Sequence, residues 1–208
     1  MTKKVLFCFL IFTLATPIAF STSTETQNLI TGGNQLLKEK KYPEAIKKYE
    51  EVLKAEPKNV TAHLFLGLTH ANIGELDLAI KHLSEASKID SSYASFYYLG
   101  LVYAAKNEPE KSIEAFDQAL RVSPDSSMAE YQKGLVYTSQ ESYDKAAKSY
   151  QRALELNPQF DDARLALAGV LYKQGDKPSA LNQAEELRKQ KKDSLAKALE
   201  EWLNEKQP

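Results

Sequence analysis

The sequence predicts an all-α solenoid of five stacked helix hairpins closed by a terminal helix. Three series of residues predict it. Small residues recur at Gly33, Gly67, Gly100, Gly134 and Ala168, with gaps of 34, 33, 34 and 34. Ala45, Ala79, Ser112, Ala146 and Ala180 repeat those gaps, as do Pro57, Ser91, Pro124, Pro158 and Lys192. Series that share one period and one single-residue deletion define a tandem array, in which each unit buries its apolar face only by stacking on its neighbours. Such an array binds or scaffolds more readily than it catalyses.

Residues 1–21 read as an export signal. Lys3 and Lys4 give a positive start, residues 5–14 are an apolar run, and Ala19 and Ser21 are placed for cleavage after Ser21. The alternative is an uncleaved membrane anchor, but Thr16 and Pro17 interrupt the run short of the roughly 20 residues that span a bilayer. After cleavage no membrane span is expected. Either reading places the repeats outside the cytoplasm, in a bacterial periplasm or as a secreted protein. Cys8 is the only cysteine. Phe7 stands before it where lipid attachment wants a small residue, so a lipoprotein cysteine is disfavoured. Loss of the signal leaves 25 basic against 28 acidic residues, a net charge of about −3. That balance lacks the basic stripe of a nucleic-acid binder. Residues 22–25 are expected to form a polar tether.

The repeats follow at 26–59, 60–92, 93–126, 127–160 and 161–194. In the fourth, one helix is expected over 127–140 and its partner over 143–156, because Leu135, Val136, Ala146, Tyr150, Ala153 and Leu154 recur at helical spacing. The turns within hairpins are short and polar: Gly74-Glu75, Asn107-Glu108, Glu141-Ser142 and Gly175-Asp176. Glycine there suits a left-handed helix end. Pro43 and Pro178 fall in first turns, where a missing N–H is harmless, and Pro57, Pro124 and Pro158 stop second helices. Gly67, Gly100 and Gly134 are expected to bring the two helices close against Ala79, Ser112 and Ala146, with Leu66, Leu99, Phe116, Tyr150, Tyr103, Tyr137, Leu120 and Leu154 filling the crossing. The shared deletion lies after Ser91, in the connection to the third repeat.

The closing segment, 195–208, reads as a cap helix and tail, the helix running over 194–204. Leu195, Leu199, Trp202 and Leu203 share one face. This face covers the open end of the last repeat, or else serves as an amphipathic partner-binding helix.

These residues resemble the tetratricopeptide repeat family across nearly all of the mature chain. The likeness rests on a small eighth residue, a small twentieth, an aromatic twenty-fourth at Tyr49, Phe116 and Tyr150, and proline in the thirty-second place. Departures are clear. The family's frequent fourth-place Trp is replaced by Leu29, His63, Phe96, Glu130 and Arg164, and the degenerate fifth repeat carries Ala184 where an aromatic is usual. The resemblance implies a right-handed superhelix whose first helices line a concave groove through their second, fifth, ninth, twelfth and thirteenth places. Leu64, Leu68, Tyr97, Leu101, Tyr131, Leu135 and Tyr172 are the candidate groove residues, an apolar and tyrosine-bearing surface suited to a protein or peptide partner. The alternative is that Leu68, Leu101 and Leu135, and also Tyr97 and Tyr131, serve only as inter-repeat core. A carboxylate clamp of the kind the family uses needs Lys, Asn and Arg at set places. Only Asn34 fits, while Ile30, Ala94 and Tyr98 do not. The expected ligand is a peptide segment with apolar side chains. The alternative is a structural protein whose copies assemble with each other.

No chemistry is expected. His63 and His70 lie seven apart on one helix, roughly 10 Å along its axis, too far to share a metal. The mature chain carries no thiol, phosphate-cradling glycine loop or nucleophile elbow. Asp161 and Asp162 sit at a helix start, where carboxylates meet the positive end of the dipole. No cofactor is implied, and Asn59-Val60-Thr61 is a glycosylation sequon only in a host that modifies such sites.

Overall fold

The computed structural model describes residues 18–205, which form eleven α-helices and no strand. They are α1 (Ile18–Lys38), α2 (Tyr42–Ala55), α3 (Val60–Asn72), α4 (Leu76–Ile89), α5 (Tyr93–Ala105), α6 (Pro109–Val122), α7 (Ser127–Ser139), α8 (Tyr143–Leu156), α9 (Asp161–Lys173), α10 (Lys177–Lys189) and α11 (Asp193–Glu205). Consecutive helices pair into hairpins, and each hairpin packs on the next, so the fold is the expected all-α solenoid. First helices also meet their successors, α1 with α3, α3 with α5, α5 with α7 and α7 with α9. Second helices make no comparable contact with one another. The first helices therefore form the inner wall of the curve.

Residues 22–25 do not form a tether: they lie within α1. Once a helix is nucleated, each added residue brings one hydrogen bond, and the nearest upstream breaker is Pro17. The signal reading of residues 1–21 falls mostly outside the described residues. Among the described residues, no helix is long and apolar enough to cross a membrane.

The small eighth residue seats a large one. A Cβ on Gly33 would stand 2.7 Å from Tyr49 Cε1, on Gly67 2.7 Å from Leu83 Cγ, on Gly100 2.7 Å from Phe116 Cε1 and on Gly134 2.5 Å from Tyr150 Cε1. The close approach is thus to the twenty-fourth residue, where the sequence suggested the small twentieth. In the fifth hairpin, both positions are alanine, Ala168 and Ala184, and both are fully buried. The missing aromatic makes room for the extra methyl. The twentieth residue has its own task in the third hairpin, where the Ser112 hydroxyl donates to the Gly100 carbonyl at 2.8 Å. Buried aromatic hydroxyls find partners too: Tyr49 donates to Asn34 Oδ1 at 2.8 Å, and Tyr150 meets Thr138 Oγ1 at 2.9 Å. Burial pushes both phenols up to about 12, so they stay neutral.

Every hairpin turn holds one residue in the left-handed region: Lys40, Gly74, Asn107, Glu141 and Gly175. The next amides then reach back over the helix end. Glu141 N donates to Thr138 O at 3.0 Å and Ser142 N to Tyr137 O at 2.9 Å. Links between repeats are different. The first three end on side-chain caps, as where Asn59 Oδ1 accepts from Ala62 N at 2.9 Å and Ser126 Oγ from Ala129 N at 3.2 Å, while the fourth ends on Phe160, whose side chain makes no capping bond. The deletion falls in one such link: three residues, 90–92, join α4 to α5, where four join α6 to α7.

A ladder of polar contacts ties neighbouring repeats along one edge. Lys106 Nζ meets Asp77 at 2.7 Å, Gln140 Nε2 donates to Glu110 at 2.9 Å and Gln174 Nε2 to Asp144 at 2.6 Å. Each joins the residue closing a first helix to an acid in the first turn of the preceding second helix. These contacts are solvent-exposed, so they contribute little energy and chiefly fix register.

Candidate protein-binding groove

The inner wall is built from α3, α5, α7 and α9. None of the seven candidate residues is fully buried, and Leu135 is 38% exposed. Leu64, Tyr131 and Tyr172 lean on core clusters, and all seven keep an edge in solvent. Leu64 leans on the cluster of Ala79, Leu83, Leu99, Val102 and Ala115. Leu68 and Leu101 face each other across a shallow groove of about 320 Å³, walled also by Ala71, Leu76, Tyr98 and Ala105. Tyr97 stacks on Tyr93 at 5.4 Å and tilts over Phe116 at 5.8 Å. Tyr131 lies against Tyr150 at 5.8 Å and Phe160 at 4.8 Å. Tyr172 packs on the C-terminal cluster and meets the Trp202 ring at 5.6 Å.

The row thus follows successive first helices but is divided into sections. Leu68 and Leu101 share one groove. Tyr97 and Tyr131 are each locked into the core of their own hairpin. Tyr172 touches, through the Trp202 ring, a second groove of about 320 Å³ at the C-terminal end, lined by Leu165, Gly169, Leu195, Ala198, Leu199 and Trp202, but does not line it. Trp202 is 37% exposed there and does not fill the cap core. The buried stripe of α11 is Ala196, Leu199 and Leu203, one step of 100° round from the tryptophan. Leu76 and Phe160 join the wall without having been singled out by sequence, and Tyr98 joins it having been weighed only as a clamp position. They stand outside the fifth, ninth, twelfth and thirteenth places from which the candidates were drawn.

Electrostatically the wall is nearly bare. Burial raises the Tyr97 hydroxyl above its ordinary range, against a weaker opposing pull from Gln132. Burial also raises Tyr131, and Asp162 adds to the effect. Both phenols are neutral at physiological pH, so the fifth and ninth places from Leu64 to Gly169 carry no charge. These places can bury apolar side chains and offer phenolic hydrogen bonds, while charge enters the wall only at its margins, as at Asp162 and Lys173.

The other expected sites resolve differently. Among the described residues, no group of three or more His, Cys, Asp or Glu is placed to hold a metal. His63 and His70 are nevertheless brought together, by His82 of α4. Asn59 is occupied on both sides: its carbonyl caps α3 and its amide donates to Glu56 at 2.8 Å.

Family descriptions match three stretches of the chain: "Tetratricopeptide repeat" over residues 31–94 and 93–126, and "TPR repeat" over 134–175. The chain is 32% identical over 107 residues to small glutamine-rich tetratricopeptide repeat-containing protein 2 of Saccharomyces cerevisiae, covering 51% of this chain and 31% of that protein. It is 30% identical over 93 residues to Hsp70-Hsp90 organizing protein 3 of Arabidopsis thaliana, covering 44% and 17%. The chain thus spans less than a third of the length of these curated relatives. Among solved structures it superposes on a crystal structure of MamA protein with a TM-score of 0.74 at 28% identity, covering 83% of this chain and 95% of that one. YrrB, described as a TPR protein with an unusual peptide-binding site, superposes with a TM-score of 0.69 at 18% identity, covering 88% and 96%.

Proposed function

This chain belongs to the tetratricopeptide repeat family, and from that premise we propose that it is a non-enzymatic adaptor that holds an apolar peptide segment of another protein against its inner wall. One observation carries the reading: Leu64, Leu68, Tyr97, Leu101, Tyr131, Leu135 and Tyr172 stand on consecutive first helices, all apolar or aromatic and all partly open to solvent. A monomer gains nothing from leaving such a row uncovered. Relatives named as Hsp70-Hsp90 organizing proteins, and the peptide-binding site named for YrrB, support the class of partner. We further propose that the protein acts outside the cytoplasm, on the strength of the charged, apolar and small-residue order of residues 1–21.

The test exploits exposure. Tyr97 and Tyr131 brace Phe116 and Tyr150, so their removal would confound binding with folding. Leu68→Asp, Leu101→Asp and Leu135→Asp place a charge where side chains already meet water. The triple variant should keep its helicity and lose at least about tenfold in affinity for peptides bearing apolar anchors at i, i+3 and i+4. Undiminished binding would remove the inner wall from the mechanism. Light scattering separates the self-assembling alternative, which requires oligomers of the purified chain. Intact-mass measurement of protein recovered from cells tests cleavage after Ser21.

A further inference from the structure

All three histidines of the chain meet in the second hairpin. His63 Nδ1 and His82 Nδ1 face each other at 3.1 Å, and His63 Nε2 lies 3.1 Å from the Pro57 carbonyl in the link from the first repeat. The His70 ring stacks flat on His82 at 5.6 Å and 8°, and its Nδ1 lies 2.6 Å from Glu75 Oε2. His63 and His70 are buried.

The chemistry fixes the protons. A carbonyl only accepts, so His63 Nε2 carries hydrogen. In neutral His63 the other nitrogen is then an acceptor, and His82 Nδ1–H donates to it. One added proton is tolerated: His63 becomes a double donor, and His82 shifts its hydrogen to Nε2. A second proton is not. It would set two N–H groups against each other across 3.1 Å and place positive charge on adjoining rings.

We propose that this cluster is a pH-sensitive joint, whose protonation loosens the second hairpin and its junction with the first while the rest of the array holds. The fifth hairpin supplies the internal control. Arg164 and Gln183 occupy the positions of His63 and His82, and Arg164 donates to the Pro158 carbonyl at 2.8 Å, as His63 meets Pro57. The Arg164–Gln183 contact, at 3.4 Å, makes the same bridge between helices with no group that titrates near neutrality. The surroundings leave His82 poorly placed to take charge. Burial, then His63, His70 and Lys81, hold it down to about 4, and Glu85 opposes them weakly. Glu85 is itself engaged by Lys88. At the end of α2, Glu56 is tied to Thr26 and Asn59. α5, which packs on α4, carries no charged residue. This inference stands apart from the adaptor reading and holds whatever the inner wall binds.

The experiment is amide hydrogen exchange, corrected for intrinsic rates, between about pH 7.5 and pH 4.5. In the unaltered chain, amides of α3 and α4 should lose about tenfold more protection than those of α7 and α8. His63→Arg with His82→Gln grafts the fifth-hairpin pair and should abolish that difference. His82→Gln alone carries the test if the double variant folds poorly. Imidazole resonances followed by NMR should show His82 titrating far below an ordinary histidine. Equal loss of protection in all hairpins, a difference that persists in the variants, or three independent ordinary titrations would each overturn the proposal.

Discussion

Gly134 and Tyr150 show how one pair of residues sets the geometry of a hairpin. Ala in place of Gly134 gains about 1 kcal/mol of helix propensity. The new methyl, however, would sit 2.5 Å from a ring that is fully buried and cannot swing away. Overpacking costs about 1–3 kcal/mol, so Gly134→Ala should destabilise the protein in urea titration. Tyr150→Ala should cost about 3–5 kcal/mol through the cavity it opens. Together the two recreate the Ala168–Ala184 pair of the fifth hairpin, and the double variant should be more stable than Tyr150→Ala alone. The sign of that coupling is the test: additive losses would mean that glycine is not there to seat the ring.

The hairpin turn is the element that repeats most faithfully, and it appears once more than the repeats do. Lys191, between α10 and α11, takes the same left-handed conformation, with Lys191 N donating to Arg188 O at 2.8 Å and Lys192 N to Leu187 O at 3.0 Å. The cap therefore folds back on α10 as a second helix folds on a first. It buries Ala196, Leu199 and Leu203 against Ala180, Ala184 and Leu187 and turns Lys197 and Glu201 outward. Leu203→Ala should cost about 2–5 kcal/mol in chemical denaturation, and a loss below 1 kcal/mol would show that the helix is not a cap. Turn chemistry gives a prediction of opposite sign. Glu141 holds φ at 55°, a conformation that costs a side-chain-bearing residue about 1–2 kcal/mol. Glu141→Gly should stabilise by about 0.5–1 kcal/mol after the entropic cost of glycine, and Asn107→Gly should change little because asparagine tolerates the region. Thermal melts of the two variants side by side decide it.

At the scale of the whole molecule, the period made the fold readable, because spacing alone reports which faces must be buried. Local chemistry was partly readable: Gly74, Gly175 and Asn107 and the proline stops fall where their backbone preferences put them, whereas Lys40 and Glu141 take the left-handed conformation against theirs. Contacts between helices were not. His82 lies on a different helix from His63 and His70, so no spacing along the chain announces their meeting. Trp202 carries the apolar bulk of a core residue, and only the exact rotation of α11 turns it to the surface. The same repetition makes stability a sum of near-neighbour terms, and those terms are unequal. The fifth hairpin replaces an aromatic with Ala184 and relies on α11, whereas the third and fourth bury Phe116 and Tyr150. Trp202, the only tryptophan, reports on that weaker end, while circular dichroism reports on every helix. In urea the fluorescence transition should therefore precede the loss of helix, and Trp202 should be released while repeats two to four remain folded. Two coincident transitions would mean that the array unfolds as one cooperative unit, and that the ladder from Asp77 to Gln174 couples the hairpins more strongly than its exposed contacts suggest.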